Sequence, residues 1–261
     1  MPFDLTTAQT SLALLSGALV GLSLGLIGGG GSILAVPLML YLVGGVTPHI
    51  AIGTSAVAVA ANAAANVLKH HRSGNVKWPC ALTFAIAGVV GALGGSTLGK
   101  HVDGERLLIL FALLMVVVAI RMLVKRDASG RDDIRLDREN TPKLLAFGLG
   151  TGAISGFFGI GGGFLIVPAL MAATGMPILR AVGSSLVAVT LFGLSTSVNY
   201  AISGLVHYGL AAVFLAGGVL GGWMGAQAAN RLSRQKGRLN ALFAGVILLV
   251  AAYMLYRSLF S

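Results

Sequence analysis

The chain has 261 residues, 56% of them hydrophobic and 10% charged, with a mean hydropathy of +0.89. A soluble domain carries about a quarter charged residues, so this composition excludes an ordinary soluble fold and points to repeated bilayer crossing. The formal net charge of +10 does not signal nucleic-acid binding, because the Lys and Arg residues fall between apolar runs, as topology determinants do.

Met1 to Thr10 lack the basic start of a secretory signal, so the first apolar run, 11–27, reads as a retained part of the fold. A helix is predicted over 10–27, ending at the cluster Gly28-Gly29-Gly30-Gly31, with a second helical arm over 32–43. Thr47-Pro48 reads as a helix start, an N-cap followed by proline in the first turn. Helices are then expected over 47–68, 79–99 and 105–124. Cys80, the only cysteine, excludes internal disulfides and Cys-rich metal sites and reads as an inert thiol. A polar linker, 125–142, follows. The rest repeats the plan: a broken hairpin over 143–174, then helices over 177–203, 208–230 and 239–256.

The repetition is explicit. Shifting the sequence by 131 carries Gly28, Gly30, Gly31, Leu34, Val36 and Pro37 onto Gly159, Gly161, Gly162, Leu165, Val167 and Pro168. With one residue lost, the shift becomes 130, and Gly53, Ser55, Gly74, Gly88 and Gly95 meet Gly183, Ser185, Gly204, Gly218 and Gly225. Residues 1–124 and 143–261 are therefore two copies of one unit. The fold class expected is an all-α polytopic membrane protein. Each repeat is a glycine-broken helical hairpin plus three transmembrane helices.

Charge selects the relation between the copies. If each broken segment enters and leaves on one side, 15 basic residues share a face: Lys69, Arg72, Lys77, Arg121, Arg180, the linker group from Lys125 to Lys143, and Arg231 to Arg238. Lys100, Arg106 and Arg257 alone remain opposite. If each broken segment crosses once, the division is a weaker 11 to 7. The positive-inside rule prefers the first arrangement, which gives inverted repeats, a cytoplasmic linker and both termini outside.

A broken helix inside a membrane is tolerated where protein or a water-filled cavity satisfies its backbone. The arm 32–43 is about 18 Å long, roughly half a bilayer, which predicts a helix N-terminus near the midplane. The expected anion ligands are the N–H groups around Gly30, Gly31 and Ser32, met from the other copy by Gly161, Gly162 and Gly163. Hydroxyls and amides on the following helices extend the set: Thr54, Ser55, Asn62 and Asn66 in the first copy, and Ser184, Ser185, Ser195, Thr196 and Asn199 in the second. The three asparagines read equally as ligands or as interhelical glue. Spaced glycines such as Gly17, Gly21 and Gly25, or Gly91, Gly95 and Gly99, read as close-packing positions. No catalytic, metal or cofactor site is expected. No Asp or Glu lies within a predicted span, which removes a buried carboxylate proton relay.

The doubled pattern, Gly28 to Pro37 with Gly53-Thr54-Ser55 and Gly159 to Pro168 with Gly183-Ser184-Ser185, resembles the sulfite exporter TauE/SafE family over essentially the whole chain. That resemblance implies a multi-pass transporter of the bacterial cytoplasmic membrane, carrying sulfite, a sulfonate or a related organic anion, commonly outward. The implied partners are the lipid bilayer, a small anionic substrate and a coupling ion, proton or sodium, with no nucleic acid; a homo-oligomer is compatible. The alternatives are an anion channel using the same site and a non-transporting accessory subunit.

Overall fold

The computed structural model describes residues 6–124, 136–159, 163–231 and 236–260. Every regular element among them is helical. Helix α1 spans Thr7–Ile27 and runs on into a 3-10 segment, Gly28–Leu34. One α turn, α2 (Ala35–Pro37), leads into a π-helical stretch, Leu38–Val43. Then come α3 (Pro48–Arg72), α4 (Trp78–His101) and α5 (Gly104–Val124). The second half comprises α6 (Asn140–Phe158), α7 (Gly163–Thr174), α8 (Ile178–Ile202), α9 (Tyr208–Arg231) and α10 (Lys236–Phe260). Five described helical stretches are long and apolar enough to cross a membrane, within α1, α3, α4, α8 and α9. Residues 125–135 of the expected linker, with Lys125, Arg126, Arg131 and Arg135, lie outside the described residues, as does Arg234.

Helix ends follow local chemistry that recurs in both halves. Thr47 has the extended backbone of an N-cap and Pro48 stands in the first turn of α3, although the Thr47 hydroxyl makes no capping bond. Gly74 and Gly204, both at φ 70°, close α3 and α8. A left-handed residue there lets the next N–H groups reach back to the last carbonyls. Asn75 N–H accordingly donates to His70 O and Leu205 N–H to Tyr200 O.

Glycines set the closest packing. A Cβ on Gly17 would strike the Phe214 carbonyl, and one on Gly21 the Gly218 carbonyl. From the other side, Gly221 meets the Ala18 carbonyl and Gly225 the Leu22 carbonyl. Contacts that advance together along both chains mean that α1 and α9 run parallel. The same holds for α4 and α6, where Gly91, Gly95 and Gly99 press on Leu149, Ala153 and Phe157 in order. The close-packing reading of these spaced glycines describes what the backbones do.

Helices α3 and α8 cross at the centre in opposite directions, Gly53 against Tyr200 and Gly193 against Ala56 and Ala60. Helix α9 lies along α3 in the same sense, Gly218 at Asn62 and Gly222 at Asn66. Helix α4 likewise follows α8, with Phe84 on Phe192 and Lys100 on Asn199. So α1, α3 and α9 share one direction, and α4, α6 and α8 the other. Because α1 and α3 point the same way, residues 28–43 must carry the chain back between them. Helices α5 and α10 pack on each other. Outward leucine, isoleucine and valine side chains, Ile86, Val90 and Leu249 among them, cover faces that meet lipid.

The expected helix over 32–43 differs from the observed backbone. It is divided among 3-10, α and π turns, with a first turn that starts at Gly28 rather than Ser32. Four consecutive glycines remove the side-chain packing that favours the α form, and the tighter 3-10 turn is accessible to short runs.

Candidate functional site

The two glycine-rich segments come together inside the helical frame. Residues Gly28–Leu34 fold back on α1 and pack against α7 and α8 of the second half. Gly31 allows this return, since a Cβ there would collide with the backbone of Ser23 and Leu24. In the second half, α6 ends at Phe158 and Gly159 turns out of the helix in the left-handed region, φ 67° and ψ 20°. Its N–H donates to Gly156 O at 3.2 Å. Helix α7 spans Gly163–Thr174. Gly161 and Gly162 lie outside the described residues.

One expectation about this region changes. In a 3-10 segment each N–H is bonded three residues back, so the donors of Gly30, Gly31 and Ser32 are engaged locally instead of forming an open helix N-terminus. The incoming arms add a length that the return arm alone does not give. With 21 residues, α1 is about 31 Å long, and α6 with 19 about 28 Å, each close to a full hydrocarbon core. Helices of that length are long enough to reach past the middle of a bilayer before the break. Gly159 sits against Ile52, only about 6 Å from the start of α3 by helical rise. The returning segment Gly28–Leu34 contacts α7 of the other half. The midplane expectation rests on the length of the return arm alone.

The hydroxyls divide by role. Thr54 accepts a hydrogen bond from His207 N–H at 2.9 Å, and Ser184 accepts one from Lys77 N–H at 3.0 Å. These are matching positions, each tying a central helix to the start of α9 or α4. Ser55 and Ser185 are fully buried and turn back on their own helices, donating to Ile52 O and Val182 O. Ser195 donates to Leu191 O. Ser32 is buried in the returning segment and Gly163 opens α7, also buried. Thr196 is buried with no partner for its hydroxyl.

The asparagines separate as well. Asn199 is held by α4: its amide donates to Ser96 Oγ at 2.6 Å and to Thr97 Oγ1 at 3.0 Å, and its oxygen accepts from Lys100 Nζ at 2.7 Å. Asn66 donates to Asn62 O. Asn62 is fully buried against α9, yet neither its amide nitrogen nor its oxygen has a partner. Thus Asn62 and Asn66 face the α3–α9 groove and Asn199 the α4–α8 contact.

Sequence reasoning missed three residues. Ser155, one turn before Gly159, and Tyr200, stacked on His49 with ring centroids 6.5 Å apart, both bury hydroxyls without partners. Lys100, treated only as an outer-face charge, bonds Asn199 and Ser203. Its signal was available: Asn199 falls on Lys69 under the 130 shift, so a lysine and an asparagine exchange halves. None of the buried described residues is charged, and no cluster of three or more His, Cys, Asp or Glu that could hold a metal ion occurs among them.

Comparisons with known proteins agree over nearly the whole chain. The family model for the sulfite exporter TauE/SafE matches residues 13–254. A "Probable membrane transporter protein" of Xylella fastidiosa, strain Temecula1, is 52% identical over 93% of this chain and 94% of its own. One of Haemophilus influenzae is 30% identical over 78% of this chain and 80% of its own. YunE of Bacillus subtilis, also named a probable membrane transporter protein, is 27% identical over 94% of this chain and 97% of its own. No solved structure matches. The chain belongs to the TauE/SafE family and is a multi-pass membrane transporter.

Proposed function

We propose that this transporter moves a small anion, sulfite or a sulfonate by class, outward across a bacterial cytoplasmic membrane by alternating access between two inverted halves. Inversion is supported by direction: α3 and α8 are equivalent helices and run antiparallel, whereas a twofold axis along the membrane normal would leave them parallel. The contacts pair in the same way, α1 with α9 and α4 with α6. The positive-inside rule, applied to the basic residues that share one face, supports a cytoplasmic linker and both termini outside.

The observation that carries the transport reading is the packing of Gly28–Leu34 from one half against α7 from the other. Such a contact lets one hairpin rock against its counterpart, opening the space between them to either side in turn. The proposed anion ligands are the N–H groups at the start of α7 from Gly163, with Gly161 and Gly162, and the hydroxyls of Ser32, Ser55 and Ser185. A helix N-terminus and hydroxyl donors suit a small oxyanion in an interior whose buried described residues are uncharged. The sulfur-oxyanion class is taken from the family name. A coupling proton would travel on the substrate or a histidine, and sodium is the other candidate ion.

Proteoliposomes loaded with sulfite or taurine test this. Saturable efflux with counterflow is expected, and Gly163→Leu should abolish it in a protein that still elutes as a single species. Efflux proportional to concentration without counterflow would replace the carrier by a channel. No flux of any small sulfur oxyanion or carboxylate would end the transport assignment of this site.

A further inference from the structure

We infer that the groove between α3 and α9 is a binding site for the headgroup of an acidic phospholipid, a role separate from the transported anion. The groove encloses about 250 Å³ and is lined by Asn62, Asn66, Lys69, Val219, Leu220 and Trp223. Leu220 and Trp223 project outward on the lipid-facing side of α9, more than half exposed. Asn62, Asn66 and Lys69 follow at intervals of four and three residues, so they form one stripe rising about 10 Å along α3. Lys69 Nζ stands 6.0 Å from the Trp223 ring centroid. At the groove floor, the completely buried Asn62 amide has partners for neither its nitrogen nor its oxygen.

An unpaired buried amide costs about 1–3 kcal/mol, which a ligand in the groove would recover. Two features choose the ligand. The walls are apolar and open sideways to the bilayer, as an acyl chain requires. The single cation lies in the last turns of α3, at headgroup level, above the amides that would meet glycerol and ester oxygens. Tryptophan beside a basic residue is the usual furniture of that interface. The corresponding place in the other half is filled from within. Phe192 stands where Asn62 would, pressing on Gly88 as Asn62 presses on Gly218. Asn199, in the place of Lys69, is consumed by Lys100, Ser96 and Thr97. One groove is closed by the protein's own side chains; its counterpart carries a cation at its rim and a buried, unpartnered amide at its floor.

The full chain, purified in detergent and supplied with equal phosphatidylglycerol and phosphatidylethanolamine, is read by native mass spectrometry. Preferential retention of phosphatidylglycerol is expected. Lys69→Gln and Asn62→Leu should each reduce it about fivefold, the worth of one lysine at an anionic surface, while Lys100→Gln leaves it unchanged. Equal retention of the two lipids, or retention indifferent to Lys69→Gln, overturns the inference. So does displacement of the lipid by millimolar sulfite, which would give the groove to the transported anion. Should those variants fail to fold, Trp78→Phe leaves Trp223 as the sole tryptophan. Its fluorescence in nanodiscs should be quenched more by brominated phosphatidylglycerol than by brominated phosphatidylcholine, and equal quenching overturns the site.

Discussion

Between Gly28 and Leu34 the chain remains helical, tightening into 3-10 turns as it doubles back on α1. After Phe158 the equivalent stretch leaves its helix through the left-handed Gly159, and α7 spans Gly163–Thr174. The two clusters share their glycines under one shift, yet the first stays in 3-10 turns from Gly28 whereas Gly159 leaves α6 in the left-handed region. Glycine-richness therefore specifies where the chain may turn. The neighbours decide how it turns: Ser23 and Leu24 crowd Gly31, whereas Ile52 from across the interface lies beside Gly159. The two halves are alike as a frame and unlike at their breaks and grooves.

The frame is where substitution should do most damage, and equally in both halves. Gly21→Leu drives a side chain into the Gly218 backbone, and Gly152→Leu drives one into that of Gly88. Because backbone cannot step aside as a side chain can, each should cost more than the 1–3 kcal/mol of ordinary overpacking. Folded yield on size exclusion should collapse for both. A wild-type yield for either one would show that the α1–α9 and α4–α6 contacts are not equivalent.

The grooves come next. Phe192→Asn would install in the second half the buried amide that the first half already carries at position 62. Losing the ring and burying an unpaired polar group should lower stability by about 3 kcal/mol. Asn62→Leu should be neutral or stabilising in detergent without acidic lipid, since it removes an unsatisfied amide. Thermal unfolding of the two variants measures the asymmetry directly. Shifts of the same sign would mean that Asn62 is satisfied by something inside the folded chain.

At the breaks the expected effects are smaller and discriminate by residue type. Gly159→Ala forces a Cβ into the left-handed region, worth about 1–2 kcal/mol, and against Ile52 as well; Gly159→Asn should recover part of the backbone cost alone, because asparagine tolerates this backbone. At Gly31 the obstacle is the backbone of Ser23 and Leu24, and φ is not positive. Asparagine should there be no better than alanine. Melting temperatures of the four variants check the contrast.

These contrasts mark what could be read from one sequence. The membrane class and all-helical content follow from composition and run length, and the duplication from aligned glycines. Equivalence under a shift also located Thr54 with Ser184 and Ser55 with Ser185. Two matters were not legible. The depth of the breaks depends on the incoming arms as well as the return arms, and on how far α1 and α6 slide along α9 and α4. The partners of polar residues depend on the facing helix: Asn62 and Asn199 look alike in sequence, but one meets Gly218 and the other Ser96, Thr97 and Lys100.

The smallest effect separates tethering from substrate contact at Thr54 and Ser184. Each hydroxyl accepts a backbone N–H at the start of another helix, at 2.9 and 3.0 Å, and Thr54 and Ser184 are both fully buried. Thr54→Val and Ser184→Ala leave that N–H without its partner, at a cost of about 1 kcal/mol each. Both variants should melt earlier by similar amounts while the KM for efflux stays that of the wild type, because the lost bond orders a helix start and leaves the ligand set unchanged. A raised KM with unaltered melting would place the hydroxyl against the carried anion. If only one variant behaves so, the halves differ in the site itself as well as at its margins, and the anion leans on one copy of the repeat more than the other.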